Sequence, residues 1–437
     1  METPQIIAIV GQNASGKTLF VERLRKQLAS DSVRYIAFSD SYGTATDRAY
    51  YLQLRWNQHD IDAETPTAGD MLEQSFLLTG PDTAERREQQ RHLYDLFDMT
   101  ALLDKYVITL SSGELRKLQL IKTLVARPGT LILDNPFIGL DAETRRQLKD
   151  LLLRLTAEQG LTLYLVLSRG EEIPDYVTDI IWTTDEATFR SAPTPLAAEK
   201  REALLRLPVY DNDYHADIVA DLRQVSIRYG ERTILNALDW NIRNGERWAL
   251  SGQNGSGKST LLSLICADNP QAYACNITLF GYRRGSGESI WDIKKHIGYV
   301  SPEMHRSYQR NLPCLQIVAS GLKDTVGLYT RASEAEKQLC HWWMWLFGID
   351  HLAERSFLSV SSGEQRLVLL ARAFVKDPEL LILDEPMHGL DAHRQQLVKD
   401  IIDTFCLRTN KTLIMVTHYD TELPSCITHQ KYLTKQK

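Results

Sequence analysis

A glycine-rich loop between two apolar runs limits the possible folds of this chain more than any other stretch. The loop consists of Gly252, Gln253, Asn254, Gly255, Ser256, Gly257, Lys258, Ser259 and Thr260. Glycines at three of these positions let backbone N–H groups point inward, where they and the start of a following helix can hold phosphate groups. Lys258 can reach the β- and γ-phosphates, and the Ser259 hydroxyl can bind Mg²⁺. The pattern predicts a phosphate-binding loop between a strand and a helix.

A second copy of this loop stands near the start of the chain. It consists of Gly11, Gln12, Asn13, Ala14, Ser15, Gly16, Lys17 and Thr18. Three further motifs recur at a displacement of 250 residues (361 − 111), namely Ser-Ser-Gly-Glu, an apolar run ending in aspartate, and Gly-Leu-Asp-Ala. Four motifs in one order predict two copies of a single domain rather than a solenoid of short repeats.

Apolar runs alternate with helical stretches in both halves, which is typical of an α/β protein. Residues 131–133 and 162–167 are predicted to be buried parallel strands, joined by a crossover helix over 142–155. We therefore expect two α/β domains, each with a phosphate-binding loop, a mostly parallel sheet and crossover helices. The predicted boundaries are 1–190 for the first domain, 191–216 for a proline-bearing linker and 217–437 for the second domain.

The composition excludes several classes of protein. The 437 residues are 43% hydrophobic and 24% charged, which is ordinary for a soluble globular protein. No apolar run approaches the ~18 residues that a membrane-spanning helix needs. The net charge of −6 argues against general nucleic-acid binding. We expect a cytoplasmic protein that meets a membrane, if at all, as a peripheral subunit at the inner face of the plasma membrane.

Each half carries an acidic residue after a buried strand. In the second half, Asp384 is placed to bind Mg²⁺ and Glu385 to polarise an attacking water. Thr18 and Asp134 are the matching Mg²⁺ ligands of the first half. His418 follows another apolar run, at the sheet edge where side chains of α/β proteins face the ligand. These residues are suited to binding a nucleotide and to activating water.

Together these motifs resemble those of tandem ATP-binding cassettes, and the resemblance covers the chain outside the linker. It implies the α/β fold of two P-loop NTPase domains, each with a mostly parallel sheet, crossover helices and a helical subdomain. It implies that ATP and Mg²⁺ bind, that the chain is a Mg-dependent ATPase, and that Glu385, His418 and Lys258 are its catalytic residues. It also implies that Tyr229 stacks on the adenine ring.

The resemblance further implies that the two halves pair head to tail, with each glycine-rich loop facing a signature loop of the other half. The signature residues are Ser111, Ser112, Gly113 and Glu114 in the first half and Ser361, Ser362, Gly363 and Glu364 in the second. Short polar residues and glycine at a helix start allow the backbone to approach a γ-phosphate.

The two sites are predicted to be unequal. Asn135 stands where the second half has Glu385, and Ser168 stands at the histidine position. An asparagine cannot accept a proton from water, whereas the phosphate-binding residues of the first half are retained. We expect the first site to bind ATP and to hydrolyse it slowly or not at all.

Two interpretations of the biological role follow. In the first, the chain energises a membrane transporter through separate permease subunits, and residues 279–301 resemble a branch of the family associated with molybdate transport. In the second, it is a soluble ATPase without a transport role, either a mechanoenzyme acting on nucleic acid or ribosomes or a nucleotide-sensing regulator. The transport interpretation is weakened because Ser301 stands where the family usually has a glutamine. The ribosome interpretation is weakened because the long charged inter-domain helix and basic arms of such relatives are missing.

Overall fold

The chain forms two compact units, residues 1–191 and 192–437. The structure, a computed structural model, describes residues 5–13, 15–28, 32–37, 65–107, 110, 112–137, 140, 142–208, 217–229, 232–253, 255–308, 311–325 and 331–435.

The first unit is built on one parallel sheet. Its strands, within the described residues, are β1 (Ile6–Val10), β2 (Val33–Ala37), β3 (Thr130–Asp134), β4 (Thr162–Leu167) and β5 (Asp179–Trp182). They lie in the order β2-β3-β4-β1-β5, and every neighbouring pair is parallel. The carboxyl ends of β1, β3 and β4 therefore meet at one edge of the sheet, where the sequence places its glycine-rich loop and its aspartate.

Helices cover both faces of this sheet. They are α1 (Lys17–Gln27), α2 (Ala68–Leu78), α3 (Ala84–Leu96), α4 (Ser112–Leu124), α5 (Ala142–Gln159) and the short α6 (Glu186–Phe189). Successive strand residues point to opposite faces. Ile132 accordingly packs with Val21 of α1 on one face, whereas Leu131 and Leu133 pack with the leucines of α5 on the other.

The second unit has a parallel and an antiparallel sheet. Its strands are β6 (Ile218–Tyr229), β7 (Arg232–Arg243), β8 (Arg247–Gly252), β9 (Asn276–Leu279), β10 (Tyr282–Arg283), β11 (Ile297–Val300), β12 (Leu380–Asp384), β13 (Thr412–Val416) and β14 (His429–Leu433). The parallel sheet has the order β11-β12-β13-β8-β14, and the antiparallel sheet the order β10-β9-β6-β7. The described part of the first unit has no counterpart of the antiparallel sheet.

The second unit also contains the larger set of helices. They are α7 (Ala198–Leu205), α8 (Lys258–Ile265), α9 (Ile290–Lys294), α10 (Pro302–Ser307), α11 (Cys314–Ser320), α12 (Glu334–Leu346), α13 (Ser362–Phe374) and α14 (Ala392–Cys406). Trp343 of α12 and Phe374 of α13 are fully buried side by side and anchor a helical subdomain that also includes α11. The predicted α/β class and two-cassette organisation are confirmed.

The internal repeat is visible in backbone conformation. Asn135 and Glu385, 250 residues apart, both adopt the left-handed region, with φ of 52° and 50°. Arg127 and Asp377 form a second such pair at the same displacement, with φ of 49° and 53°. Because residues with side chains rarely adopt this conformation, its recurrence shows that the two units share turn geometry and not only motifs.

The segment predicted as a linker is packed on the second unit over much of its length. The Leu196 N–H donates to Asp400 Oδ2 at 2.7 Å, and Lys200 Nζ donates to the carbonyl of Trp345 at 2.7 Å. Leu204 of α7 lies entirely inside the core of the second unit. Residues 192–208 are therefore a structural part of that unit.

We expect Leu204→Ala to lower the free energy of unfolding of the second unit by about 2–4 kcal/mol, because truncating a buried leucine loses apolar contacts and leaves a cavity. The neighbouring Leu205 is 44% exposed, so Leu205→Ala should change it by less than about 0.5 kcal/mol. Urea unfolding followed by tryptophan fluorescence measures both variants. Equal effects of the two substitutions would contradict the packing of this segment.

Candidate active site

The loop after β8 has a shape that requires glycine. Gly252, Gly255 and Gly257 all have positive φ, of 150°, 77° and 95°. A Cβ atom on Gly252 would lie 2.4 Å from the carbonyl oxygen of Leu433, and one on Gly257 would lie 3.0 Å from Ile234 Cγ2. The loop then passes directly into α8, whose first residue is Lys258. Asn254 lies outside the described residues.

The same loop presents groups that fit a phosphate. Lys258 Nζ donates to the carbonyls of Gly252 and Gln253 at 2.6 and 3.0 Å, so its ammonium lies across the mouth of the loop. The Ser256 side chain is 2% exposed, and its hydroxyl has no hydrogen-bond partner among the described residues. A buried hydroxyl without a partner is costly, and a phosphate oxygen would satisfy it. Ser259 and Thr260, the next two residues of α8, are the remaining predicted nucleotide-binding residues of this loop.

The carboxylates of the second unit stand at the end of β12. Asp384 is the last residue of this buried strand, and Glu385 follows it in the left-handed turn. The carboxylate of Asp384 and the hydroxyl of Ser259 are oxygen donors of the kind that Mg²⁺ prefers. These two oxygen donors fit the Mg²⁺ ion that accompanies a nucleoside triphosphate.

Two histidines hold the Glu385 carboxylate. His388 Nδ1 lies 3.0 Å from Oε2, and His418 Nε2 lies 3.1 Å from Oε1. Burial on its own raises the pKa of Glu385, but the hydrogen bonds and charges of His388 and His418 outweigh it and bring that pKa well below its usual range. Glu385 is therefore an ionised carboxylate held at both oxygens, as a base needs to be at neutral pH.

A buried arginine supports this turn from behind. Arg366 of α13 is 1% exposed and donates to the carbonyls of Ser301 at 3.2 Å, Asp384 at 2.9 Å and Pro386 at 3.3 Å, and also to that of Glu385. It thereby satisfies backbone groups that the left-handed turn leaves without strand partners.

The signature residues of the second unit begin α13. Ser361 and Glu364 form a capping box: the Ser361 N–H donates to Glu364 Oε2 at 2.8 Å, and the Glu364 N–H donates to the Ser361 hydroxyl at 3.4 Å. Ser362 is exposed and Gly363 is buried in the first turn. The capping box fixes the start of the helix, and its first backbone N–H groups are available to an anion.

The role of Tyr229 in stacking on adenine stays a prediction. Its side chain is 6% exposed at the end of β6, and its hydroxyl accepts a hydrogen bond of 3.1 Å from Asn269 Nδ2. The residue is therefore mostly covered, and stacking requires that one face of its ring be exposed to the adenine.

The loop of the first unit has the same construction. Gly16 has φ of 84° and precedes α1, and a Cβ atom on Gly11 would lie 2.1 Å from Thr183 Oγ1. Lys17 Nζ donates to the carbonyls of Gly11 and Gln12, both at 2.7 Å. The Ser15 hydroxyl lies 2.7 Å from that of Thr183. Thr18 is exposed.

Four other predicted positions of the first unit are not fully described. Ala14 and Ser111 lie outside the described residues, and only the helical backbone of Ser112 and Gly113 is described. Glu114 is described, and its carboxylate accepts from Lys105 Nζ at 2.8 Å.

The carboxylate environment of the first unit differs from that of the second. Tyr35 donates its hydroxyl to Asp134 Oδ2 at 2.9 Å, and Asn135 Nδ2 donates to Asp134 Oδ1 at 2.7 Å. Burial raises the pKa of Asp134, and the hydrogen bond from Tyr35 and the charge of Lys17 partly offset it. The side chain of Asn135 thus serves Asp134 and offers no basic oxygen. Ser168 is buried at the position that corresponds to His418.

Sequence comparison of the halves could not identify His388. The corresponding residue of the first half is Ile138, which lies outside the described residues and carries no chemistry. The sequence feature that could have identified His388 is its position three residues after Glu385, in the same turn.

Each unit contains a phosphate-binding loop, a buried strand that ends in aspartate and a helix packed behind that strand. Two such units in one chain define a tandem ATP-binding cassette protein. The sequence profile of the ABC transporter family matches residues 1–138 and 235–388, which together make up more than half of the chain. The chain belongs to this family.

Relatives match almost the whole chain. It is 38% identical to the ABC transporter ATP-binding protein ModF of Escherichia coli strain K12, over 97% of this chain and 90% of that protein. An uncharacterized ABC transporter ATP-binding protein of Schizosaccharomyces pombe is 28% identical over 98% of this chain and 92% of that protein. A solved structure of ribosome-bound archaeal Pelota and ABCE1 matches with a TM-score of 0.58, over 99% of this chain and 71% of that one, at 17% identity. The last match shows likeness of fold alone.

Family membership establishes the activity as well as the fold. The chain binds ATP with Mg²⁺ and is an ATPase. In the part of the chain that the structure describes, no helix is both long enough and apolar enough to cross a membrane.

We expect His388→Ala to lower the rate of ATP turnover about tenfold while ATP affinity changes little. The Glu385 carboxylate loses one of two charge-assisted hydrogen bonds, each worth about 1.5 kcal/mol or more, and with it part of its orientation. Steady-state hydrolysis together with ATP binding separates the two effects. His351→Ala is the control, because His351 is exposed in the same unit. Turnover at the wild-type rate in His388→Ala would contradict this role.

Proposed function

We propose that the chain is the ATPase subunit of a membrane transporter and acts through separate permease subunits from the cytoplasmic side. Hydrolysis takes place at the second cassette, while the first binds ATP and retains it. The observation that carries the proposal is the contrast between two turns of the same backbone conformation: Glu385 is held by His388 and His418, whereas Asn135 is bonded to Asp134.

In this proposal the residues of the second cassette have distinct tasks. The loop N–H groups and Lys258 bind the phosphates of ATP, and Ser259 with Asp384 hold Mg²⁺, which neutralises charge on the β- and γ-phosphates. Glu385 accepts the proton of the attacking water. His418 and His388 keep that carboxylate ionised and oriented.

The first cassette retains the groups that binding needs. Gly11, Gly16 and Lys17 form the phosphate loop, and Thr18 with Asp134 supply the oxygen donors for Mg²⁺. The cassettes pair head to tail, so that the signature helix of each closes over the nucleotide of the other. Support for this pairing comes from the order of the motifs and from membership of the ABC transporter family.

The transport role is supported by the name of the ModF relative, an ABC transporter ATP-binding protein that is 38% identical over nearly the full length of both chains. The proposed substrate class, molybdate or a related oxyanion, depends on resemblance to that relative. The likeness to ABCE1 in fold leaves a soluble, ribosome-linked role as the competing outcome of the experiments.

We expect Glu385→Gln to reduce ATP hydrolysis about 10²–10⁴-fold, because removing a general base typically has this effect, and to leave ATP binding in place. Asn135→Gln is the matched control, since it places the same amide at the first site. It should keep turnover within about twofold. Single-turnover hydrolysis of bound ATP measures both. Substantial hydrolysis by the Glu385→Gln variant would assign turnover to the first site and overturn the asymmetry.

A second experiment tests the transport role. Tagged Glu385→Gln chain, which should retain ATP, is captured from gently solubilised membranes, and the bound proteins are identified by mass spectrometry. We expect a polytopic membrane protein to be recovered, and to be lost when Lys17→Ala and Lys258→Ala prevent nucleotide binding. Recovery of ribosomal subunits instead, with ATPase activity stimulated by RNA, would select the soluble interpretation.

A further inference from the structure

The turn that carries His418 is held by the side chain just ahead of it. Thr417 follows β13, and its hydroxyl donates a hydrogen bond to the carboxylate of Glu422. The same hydroxyl accepts a hydrogen bond of 3.2 Å from the Tyr419 N–H. His418 therefore lies between two residues that this hydroxyl connects. We call residues 417–423 the histidine turn.

The first unit has a turn of the same backbone conformation over residues 167–173. By the displacement of 250 residues, Arg169 corresponds to Tyr419 and Ile173 to Leu423. The φ angles are −128° at Arg169 and −127° at Tyr419, and they are −64° at Ile173 and −65° at Leu423. In both units a 3₁₀ helix of three residues lies between these two positions. The backbone of the turn is therefore common to the two units.

The turn of the first unit forms without a counterpart of the Thr417 hydroxyl. The residue at this position is Leu167, whose side chain is apolar and buried. The glutamate of the turn is kept, because Glu172 corresponds to Glu422 and both residues are buried. The hydrogen bonds of the threonine are therefore not needed to form the turn, and they have another role in the second unit.

The two turns differ in the residue that they place at the sheet edge. In the second unit, His418 Nε2 lies 3.1 Å from Glu385 Oε1, whereas the corresponding residue of the first unit is a serine. The backbone link to the neighbouring strand end is the same. The Glu385 N–H donates to the carbonyl of Val416 at 2.8 Å, and the Asn135 N–H donates to that of Val166 at 2.9 Å. The threonine thus occurs in the unit whose turn orients an imidazole toward a carboxylate.

The contact between His418 and Glu385 requires a fixed turn. His418 lies beyond the end of β13, in a connection without strand partners, and such segments are more mobile than the strands they join. A hydrogen bond weakens steeply when its distance and angle depart from the preferred values. The Thr417 hydroxyl restrains the backbone on both sides of the histidine, and its carboxylate acceptor gives a stronger bond than a neutral acceptor would.

We propose that Thr417 and Glu422 are positioning residues for ATP hydrolysis, a role that rests on the proposed function of Glu385 as the base of the second cassette. They hold the histidine turn so that the His418 ring stays within hydrogen-bonding distance of the Glu385 carboxylate. The role requires no contact of either residue with the nucleotide.

Three threonine variants of the full-length chain test this role. Thr417→Val removes the hydroxyl at nearly constant volume and should lower kcat about tenfold or more, because misplacing a catalytic group by about 1 Å can reduce a rate up to about 100-fold. The KM for ATP and the amount of ATP bound per chain should stay within about twofold. Thr417→Ser keeps the hydroxyl and should restore most of the rate. Thr421→Val is the control, because Thr421 is an exposed threonine of the same turn.

A double-mutant cycle tests the link between the two positioning residues. Glu422→Gln replaces a charged acceptor by a neutral one and should lower kcat about threefold to tenfold in the otherwise unchanged chain. In the Thr417→Val chain the same substitution should lower kcat by a clearly smaller factor, because the hydrogen bond is already lost. Equal factors in the two chains would show that the residues act independently and would contradict the proposal.

Other outcomes would overturn the role of Thr417. These are an unchanged kcat in Thr417→Val, equal losses in Thr417→Val and Thr417→Ser, and a loss of ATP affinity as large as the loss of kcat, which would place the threonine at the nucleotide. Glu385→Gln is measured in parallel. Hydrolysis that survives in Glu385→Gln would overturn the proposed function together with the positioning role. Hydrolysis that is lost in Glu385→Gln and retained in Thr417→Val would overturn the positioning role alone.

Discussion

The end of strand β12 in the second unit depends on one buried guanidinium. Arg366 is part of α13, the helix that starts at the signature residues, and it donates to backbone carbonyls on both sides of Glu385. Hydrogen bonds from a charged donor contribute about 1.5–3 kcal/mol each. The hydrogen bonds of Arg366 therefore connect the signature helix to the turn that carries Glu385. Arg116 has the same relation to the first unit, where it donates to the carbonyl of Pro136 at 2.5 Å.

The two units use this common support for different side-chain chemistry. In both, the residue after the strand aspartate has a left-handed backbone, which side chains other than asparagine and aspartate adopt rarely, so Glu385 is the more strained of the two. In the second unit the side chain so placed is an ionised carboxylate between two imidazoles. In the first it is an amide directed at its own neighbouring aspartate. The backbone conformation of the turn is the same in both units although the side chain differs. The turn therefore does not need the carboxylate to keep its shape.

Much of the fold could be predicted from the sequence because the strongest signals are local. Glycine spacing, buried apolar runs and a capping box each report on conformation within a few residues, and the internal repeat showed that they belong together. Long-range packing was not readable in this way. The prolines and charges of residues 191–216 predicted a linker, yet Leu204 enters the core of the second unit. The position of Tyr229 ahead of the loop likewise did not indicate that this residue is only 6% exposed.

The residues of the candidate site were also predictable only where the sequence signal is local. Lys258, Asp384 and Glu385 follow from motifs, whereas His388 depends on how a tight turn folds back toward the carboxylate, which no spacing rule specifies.

The intact turn at Asn135 has a consequence for the lifetime of the folded chain. A ligand that binds the native state and not the unfolded one stabilises the native state by an amount that grows with the logarithm of its concentration. A nucleotide that stays bound and is not hydrolysed stabilises the native state for as long as it is bound. If the first cassette retains ATP as proposed, the stability of the first unit therefore follows the ATP concentration of the cell.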